Sequence, residues 1–214
     1  MQDYIRARTD EQKEERLGQI KAATNTLFQT MPYTSITLTT IAEKLGWSRA
    51  NLYKYVTTKE EIFLELCSEK MTDYFNSLLS AFPEDNNFSA EVTAEVWGGI
   101  LNAHKDYLRY LAYLMPIVET NVTVERLVSF KKKWYELSGL FSDRLVQMLK
   151  ISKENAEKLI VTIQNYASSL TASCHDNPLV KQALKILNIE PKPADFCAQI
   201  KDYTNMCISW YLKK

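Results

Sequence analysis

The stretch KLGWSRANLYKY, residues 44–55, places hydrogen-bonding and basic side chains around a single glycine. Arginine and asparagine can make paired hydrogen bonds to base edges in a DNA major groove, and other polar side chains can bond to phosphates. The residues that this surface would display are Ser48, Arg49, Ala50, Asn51, Tyr53 and Lys54. Their types and spacing therefore predict a surface that binds nucleic acid.

The charges in this part of the chain agree with that prediction. Lys44, Arg49, Lys54 and Lys59 are opposed only by Glu43, whereas the whole chain of 214 residues has 26 basic and 26 acidic residues. A local positive excess in a neutral protein indicates where a polyanion would bind. Taken one by one, these charges are also compatible with the solvated face of a short surface helix.

Three short elements would hold this surface in place. A first helix is predicted over residues 11–31. Thr37 is placed to cap a second helix, which ends at Gly46, where glycine permits a left-handed backbone. Ser48 is placed to cap a third helix through Tyr53, which completes a helix-turn-helix pattern. The positions expected to point inward are Ile41, Ala42, Leu45, Trp47, Leu52 and Tyr55.

The rest of the chain is predicted to be helical as well. Apolar residues recur at three-and-four spacing, and only 5 glycines and 6 prolines occur. Thr58 and Glu61 form a capping-box pattern that opens a long helix reaching Leu79. The fold class is therefore all-α, with an N-terminal three-helix helix-turn-helix domain over residues 1–58 and a C-terminal helical domain over residues 59–214. Further helices are predicted over residues 89–104, 105–121, 124–150, 153–174, 179–187 and 194–212.

The segment KAATNTLFQTMPYTSITLTTIAEKLGWSRANLYKYVTTKEEIFLEL, residues 21–66, resembles the DNA-binding domain of the tetracycline-repressor (TetR) family of bacterial regulators. The similar parts are a TxxxIAxxxG core that begins at Thr37, followed by LYKYV and KEEIF. The resemblance implies that Tyr53 and its helix meet DNA. It also implies that Thr39, and secondarily Thr37, lie near phosphates and that Lys59 contacts the DNA backbone.

The resemblance further implies that the later helices form a homodimer and enclose a small effector. Because a twofold dimer reaches two half-sites, the expected DNA partner is double-stranded with a near-palindromic operator. The implied function is that of a repressor released from this operator by the effector. The residues expected at the dimer interface are Leu159, Ile163, Tyr166, Leu170, Tyr203, Cys207 and Trp210.

Aromatic residues are dense in the middle of the chain, where an effector pocket is expected. A pocket with such a lining would suit an apolar or aromatic molecule. The alternative for each residue is ordinary core packing, which is the commoner role of aromatic side chains at helical spacing. The expected pocket residues are Trp97, His104, Tyr107, Tyr110, Tyr113, Trp134 and Phe141.

The sequence shows no pattern typical of catalysis or of a metal site. It contains no Gly-rich phosphate loop, no HExxH and no Gly-x-Ser-x-Gly, so neither an enzyme nor a cofactor is expected. Cys174 and His175 are adjacent, but the remaining cysteines, Cys67, Cys197 and Cys207, lack ligand spacing. We therefore expect reduced thiols and no metal.

Two further expectations concern location and an alternative function. No apolar run is long enough to cross a membrane, and the N-terminus lacks the apolar stretch of a signal peptide, so a cytoplasmic protein is expected with no membrane partner. The alternative to a DNA-binding regulator is a helical protein-binding scaffold whose helix-turn-helix is vestigial. Salt-sensitive binding to DNA would distinguish the two functions.

Overall fold

The computed structural model describes residues 10–84, 87–173, 178–190 and 195–213. These residues form ten α-helices and no β-strand, which confirms the predicted all-α class. The helices are α1 Asp10–Thr30, α2 Leu38–Leu45, α3 Arg49–Leu52, α4 Lys59–Ala81, α5 Ala90–Ala103, α6 Lys105–Tyr113, α7 Val124–Leu149, α8 Lys153–Ser173, α9 Pro178–Ile186 and α10 Phe196–Tyr211.

The chain divides into two compact units. Unit 1 consists of residues 1–69 and 114–130, and unit 2 of residues 70–113 and 131–214. Helices α4 and α7 are continuous through the residues at which the units divide, so each contributes to both. The predicted division into residues 1–58 and 59–214 stays a prediction, and residue 59 is the first residue of α4.

Unit 1 is built on the packing of α1 against α2 and of α2 against α3. The ring of Phe63, in the first turns of α4, lies 5.0 Å from that of Phe28 and 4.8 Å from that of Tyr33, edge to face in both cases. Burying each large apolar side chain contributes roughly 1.5 to 3 kcal/mol, which fixes the relative position of these helices. The other buried apolar residues of α1 to α3 are Ile20, Ala23, Leu27, Ile41, Ala42 and Leu52.

Unit 2 is built on α10, which packs against α5 and α8, and on α6, which also packs against α8. Helices α5 and α10 approach each other closely at Gly98. A Cβ atom at this position would lie 2.6 Å from Cγ and 3.2 Å from Cα of Lys201. Lys201 also pairs with Glu95 one turn earlier on α5. The absence of a side chain at Gly98 is therefore what permits this helix crossing.

The helix predicted over residues 105–121 differs in the structure. The α-helix ends at Tyr113 and is followed by a π-helical turn, Leu114–Val118. Pro116 has no N–H and cannot donate to the carbonyl four residues earlier, so the regular ladder is interrupted. The Glu119 N–H instead donates to the first carbonyl of the turn, at 2.9 Å. A 3₁₀ turn, Tyr33–Ser35, was also not predicted.

Several predictions concern cysteines and membrane or metal binding. Cys67 and Cys207 are buried free thiols and Cys197 is a half-buried one, whereas Cys174 and His175 lie outside the described residues. Within the described part of the chain, no group of three or more His, Cys, Asp or Glu residues could hold a metal ion. None of the described helices is long and apolar enough to span a bilayer.

Candidate nucleic-acid interface

Helix α2 is closed at both ends by local hydrogen bonds. The Thr37 Oγ1 accepts from the Thr40 N–H at 3.1 Å, and the Thr40 Oγ1 accepts from the Thr37 N–H at 2.9 Å. At the other end of α2, Gly46 has φ 67° and ψ 27°, and the Trp47 N–H donates to the Ala42 carbonyl at 2.9 Å. These contacts confirm the predicted cap at Thr37 and the predicted glycine turn.

Helix α3 is a single turn, Arg49–Leu52. The Ser48 Oγ accepts from the Asn51 N–H at 3.2 Å, which confirms Ser48 as the N-cap. The helix ends one residue before the predicted end at Tyr53. Leu52 is fully buried and anchors the turn in the core of unit 1, whereas Arg49 and Ala50 are exposed.

Five of the six residues predicted to face DNA are exposed. Ser48, Arg49, Ala50, Tyr53 and Lys54 lie at the surface, and Asn51 is half-buried. The Arg49 Nη2 and the Tyr53 hydroxyl are 3.4 Å apart, and the guanidinium carbon lies 5.9 Å from the tyrosine ring centre. The structure therefore brings a planar cation and an aromatic ring together, and Lys54 is exposed in the same segment. Such groups can bind bases and phosphates.

The predicted inward positions divide into two groups. Ile41, Ala42 and Leu52 are buried as predicted, but Leu45, Trp47 and Tyr55 are only half-buried, which corrects the prediction for those three. The Trp47 and Tyr55 rings lie 5.9 Å apart, and the Arg16 guanidinium lies 5.2 Å from the Trp47 ring. The half-buried position suits the Trp47 ring, because the Arg16 cation stacks on its face and part of the ring stays in contact with water.

The remaining predicted DNA contacts take part in local structure. Thr37 is exposed and belongs to the cap described above, and Thr39 is half-buried. The Lys59 Nζ donates to the carbonyls of Tyr33 and Ile36, at 3.0 and 2.9 Å, and lies 3.9 Å from the Tyr33 ring centre. Burial lowers the pKa of Lys59. Its predicted contact with the DNA backbone stays a prediction.

A charged pair at the start of α4, Glu61 with Arg126, was not predicted from the sequence. The Glu61 N–H donates to the Thr58 Oγ1 at 3.2 Å, as the capping-box pattern predicted, but the Glu61 Oε2 accepts from the N–H of Thr57, at 3.1 Å. The other oxygen, Oε1, lies 3.4 Å from Nε of Arg126. No sequence signal could have found this pair, because Arg126 lies on α7, far along the chain.

The aromatic residues of unit 2 are joined through Tyr74, which is not among the predicted pocket residues. The Trp97 Nε1 donates to the Tyr74 hydroxyl at 2.8 Å, and the Tyr74 ring stacks on Tyr107 at 5.2 Å. Trp97 also packs edge to face on Phe141 at 4.9 Å. Burial raises the pKa of the Tyr74 hydroxyl. These contacts between predicted pocket residues are of the kind that forms an aromatic core.

The other predicted pocket residues are His104, Tyr110, Tyr113 and Trp134. Of these, His104 contacts the Tyr74 ring edge to face, with ring centres 5.8 Å apart. The His104 Nε2 is 3.0 Å from Oγ of Ser77. Tyr110 is buried and Tyr113 is half-buried. Trp134 lines a cavity of about 450 Å³ formed by α7, α8 and the end of α10. The remaining residues that line this cavity are Tyr135, Ser138, Gly139, Glu157, Lys158, Ile160, Val161, Thr162 and Tyr211.

The residues predicted at a dimer interface are mostly packed within the chain. Leu159 and Ile163 are fully buried, so neither offers surface to a second copy, and Leu170 and Cys207 are also buried. The Tyr166 and Tyr203 rings stack on each other with centres 3.7 Å apart and planes 11° apart. Trp210, a predicted interface residue, is 59% exposed. Met206, which was not predicted, lies on the same helix and is 58% exposed.

Comparison with solved structures gives a consistent set of similar folds. The fatty acid degradation regulator FadR from Bacillus halodurans has a TM-score of 0.59, with 14% identity over 90% of this chain and 94% of that one. A TetR/AcrR-family regulator from Thermobifida fusca has a TM-score of 0.56, with 14% identity and coverage of 92% and 98%. AmtR from Mycobacterium smegmatis has a TM-score of 0.53, with 18% identity and coverage of 88% and 84%. No curated protein matches the chain.

The helix-turn-helix and the family models that match the chain define a DNA-binding regulator. Residues 20–66 match the model of the family described as bacterial regulatory proteins, tetR family, and residues 68–211 match that of the tetracyclin repressor-like, C-terminal domain. The chain therefore belongs to the TetR family of transcriptional regulators, which confirms the resemblance found in the sequence.

Proposed function

We propose that the chain is a homodimeric repressor that leaves a near-palindromic operator when a small effector binds. The observation that carries this proposal is the exposed set of Arg49, Tyr53 and Lys54, which the Gly46 turn holds in place. In this proposal Arg49 pairs with guanine and Asn51 with adenine, and the other polar residues position the protein on phosphates. The complete proposed contact set is Thr37, Thr39, Ser48, Arg49, Ala50, Asn51, Tyr53, Lys54 and Lys59.

The test of DNA binding begins with selection of duplexes from random DNA by the wild-type protein. Tyr53→Ala and Lys54→Ala should each weaken binding of the selected duplex about fivefold or more, since one good contact contributes about 1 to 3 kcal/mol. Lys132→Ala, which changes an exposed lysine of α7, should bind as the wild type does. Fluorescence anisotropy measures the affinities. A protein that selects no duplex would instead support the scaffold alternative.

The proposed effector is apolar or aromatic and binds in unit 2. The cavity beside Trp134, at about 450 Å³, falls within the roughly 300 to 1,000 Å³ of small-molecule pockets, and its aromatic lining supports such a ligand. The similar Bacillus halodurans protein is named as a regulator of fatty acid degradation, which is compatible with an apolar effector.

The effector proposal is tested with long-chain fatty acids and planar aromatic compounds added to the complex with the selected duplex. At least one compound should lower operator affinity, because an effector must bind one state more tightly than the other in order to shift the equilibrium. Trp134→Ala should abolish this response. Leu140→Ala, on an exposed residue of the same helix outside the cavity lining, should retain it. A response that persists in Trp134→Ala would place the effector elsewhere.

The proposed dimer uses the surface of α8 and α10. Its support is the exposure of Met206 and Trp210, together with the geometric need of a twofold protein for two half-sites. Under this proposal residues 1–58 bind DNA in the cytoplasm, and residues 59–214 bind the effector and form the dimer.

A further inference from the structure

Arg126 lies at the start of α7 and contacts two carboxylates of α4. Its Nε is 3.4 Å from the Glu61 Oε1, and its Nη1 is 3.2 Å from the Glu65 Oε1. The side chain of Glu61 is only 6% exposed. A carboxylate that is so little exposed requires a cation and hydrogen-bond donors, because an uncompensated buried charge is strongly unfavourable.

The second oxygen of Glu61 accepts from the backbone N–H of Thr57, at 3.1 Å. Thr57 follows the buried Val56, which is the last residue of the segment 49–56 that contains α3. The position of the Glu61 carboxylate therefore constrains the backbone immediately after the exposed DNA-facing residues. A shift of Arg126 would move or release the carboxylate and, with it, the Thr57 amide.

Arg126 lies in a segment of unit 1 that is flanked along the chain by residues of unit 2. Residues 114–130 belong to unit 1, although the residues before and after them belong to unit 2. The segment begins with the π-helical turn at Pro116 and continues into α7, which is unbroken to Leu149. The Arg126 N–H also bonds to the Thr123 Oγ1 at 3.4 Å, which ties Arg126 to the start of that helix. A helix transmits a displacement along its length, so a change in unit 2 can reach Arg126 through α7.

A small cavity of about 160 Å³ lies beside the Arg126 side chain. Lys21 is on its rim and pairs with a different glutamate of α4, Glu69. This free volume permits the guanidinium to change position, whereas a closely packed side chain could not. Lys21 is a matched reference for Arg126, since it is a cation at the same cavity whose carboxylate partner is Glu69. The remaining residues around the cavity are Leu17, Ile20, Val56, Glu61, Ile62 and Glu65.

We propose that Arg126 is a positioning residue that couples the effector-binding unit to the DNA-reading turn, through Glu61 and the Thr57 amide. The proposal rests on the proposed function, because it assigns the route by which effector binding alters DNA affinity. Arg126 itself does not touch DNA. Its side chain holds the Glu61 carboxylate in the position that orders the end of the reading segment, and a displacement of α7 releases it.

The experiment measures the affinity of the full chain for the duplex selected by the wild type, at several salt concentrations. Arg126→Gln should weaken binding about tenfold, within the usual range of coupling between sites, and leave the slope of affinity against salt unchanged, because no phosphate contact is lost. Lys21→Gln should change affinity less than about threefold, as expected for a charge outside the route.

A second-site variant separates positioning from loss of structure. Glu61→Gln keeps an acceptor for the Thr57 N–H but removes the buried charge, so Glu61→Gln/Arg126→Gln should bind more tightly than Arg126→Gln alone. Such non-additivity is expected only for residues that interact.

Three results would overturn the inference: wild-type affinity in Arg126→Gln, a salt slope reduced by about one, or no recovery in the double variant. A wild-type protein that selects no duplex would overturn the proposed function itself, and the inference with it.

Discussion

At the scale of single residues, Lys59 illustrates how a predicted DNA contact can have a structural role. Its ammonium donates to two carbonyls of the turn before α2 and lies over the Tyr33 ring. The Tyr33 hydroxyl in turn donates to Glu60 at 2.6 Å. These contacts connect the start of α4 to the loop that follows α1. Lys59 can bind two carbonyl oxygens at once because its ammonium group has three N–H donors.

Replacing this lysine should therefore reduce stability as well as any DNA affinity. Lys59→Met should lower the free energy of unfolding by about 1 to 3 kcal/mol, since two hydrogen bonds from a charged donor are lost. The exposed Lys54 provides the comparison: Lys54→Met should change stability by less than about 0.5 kcal/mol. Urea unfolding measures both values. Equal stability of the two variants would show that the Lys59 contacts contribute nothing to the fold.

At the scale of elements, the α2–α3 turn depends on one backbone conformation. Gly46 has a φ of 67°, and nothing lies within 4 Å of the Cβ that a side chain would add. The cost of a substitution is therefore conformational and not steric. Two hydrogen bonds close the end of α2, from the Trp47 N–H to the Ala42 carbonyl and from the Gly46 N–H to the Glu43 carbonyl, at 2.9 and 3.1 Å. They require a left-handed residue at position 46.

Gly46→Ala should destabilise the protein by about 1 to 2 kcal/mol, the usual cost of a left-handed residue with a Cβ atom. Gly46→Asn should destabilise it less, because asparagine adopts this conformation more readily. Gly18→Ala, at an open position within α1, should instead stabilise the protein, by up to about 1 kcal/mol. Thermal unfolding gives the order of the three variants. Similar losses for alanine and asparagine would contradict the conformational explanation.

The α5–α10 crossing depends on space rather than on backbone conformation. Gly98→Ala would place its Cβ against Lys201, whereas nothing lies within 4 Å of the corresponding atom at Gly99. We expect Gly99→Ala to stabilise the protein by up to about 1 kcal/mol through helix propensity. Gly98→Ala should be less stable than Gly99→Ala by about 1 to 3 kcal/mol, as expected for overpacking. Comparable midpoints in urea unfolding would show that α10 adjusts freely.

At the scale of the whole molecule, the proposed twofold assembly requires exposed apolar residues to be covered by a second copy. Met206→Glu/Trp210→Glu should shift the protein toward monomer in sedimentation experiments, because charges would be buried in the interface. The same variant should lose operator affinity, since each head would bind a half-site alone. Val128→Glu changes an equally exposed residue, at 58% against 58% for Met206, and should remain dimeric. A dimer unaffected by the double change would place the interface elsewhere.

The sequence by itself determined the features that depend on neighbours along the chain. The caps at Thr37 and Ser48 and the turn at Gly46 were predicted correctly, because their hydrogen bonds join residues only a few positions apart. Helical periodicity likewise identified the all-α class and most helix bounds.

Only the tertiary structure decided which apolar and charged residues meet. It placed Leu159 and Ile163 in the intrachain core and Trp210 at the surface, although all three lie on amphipathic stripes. It also joined Arg126 to Glu61 and made Tyr74 the centre of an aromatic cluster. The physical reason is that a stripe or a charge specifies a need for a partner, whereas the identity of the partner depends on how distant helices pack.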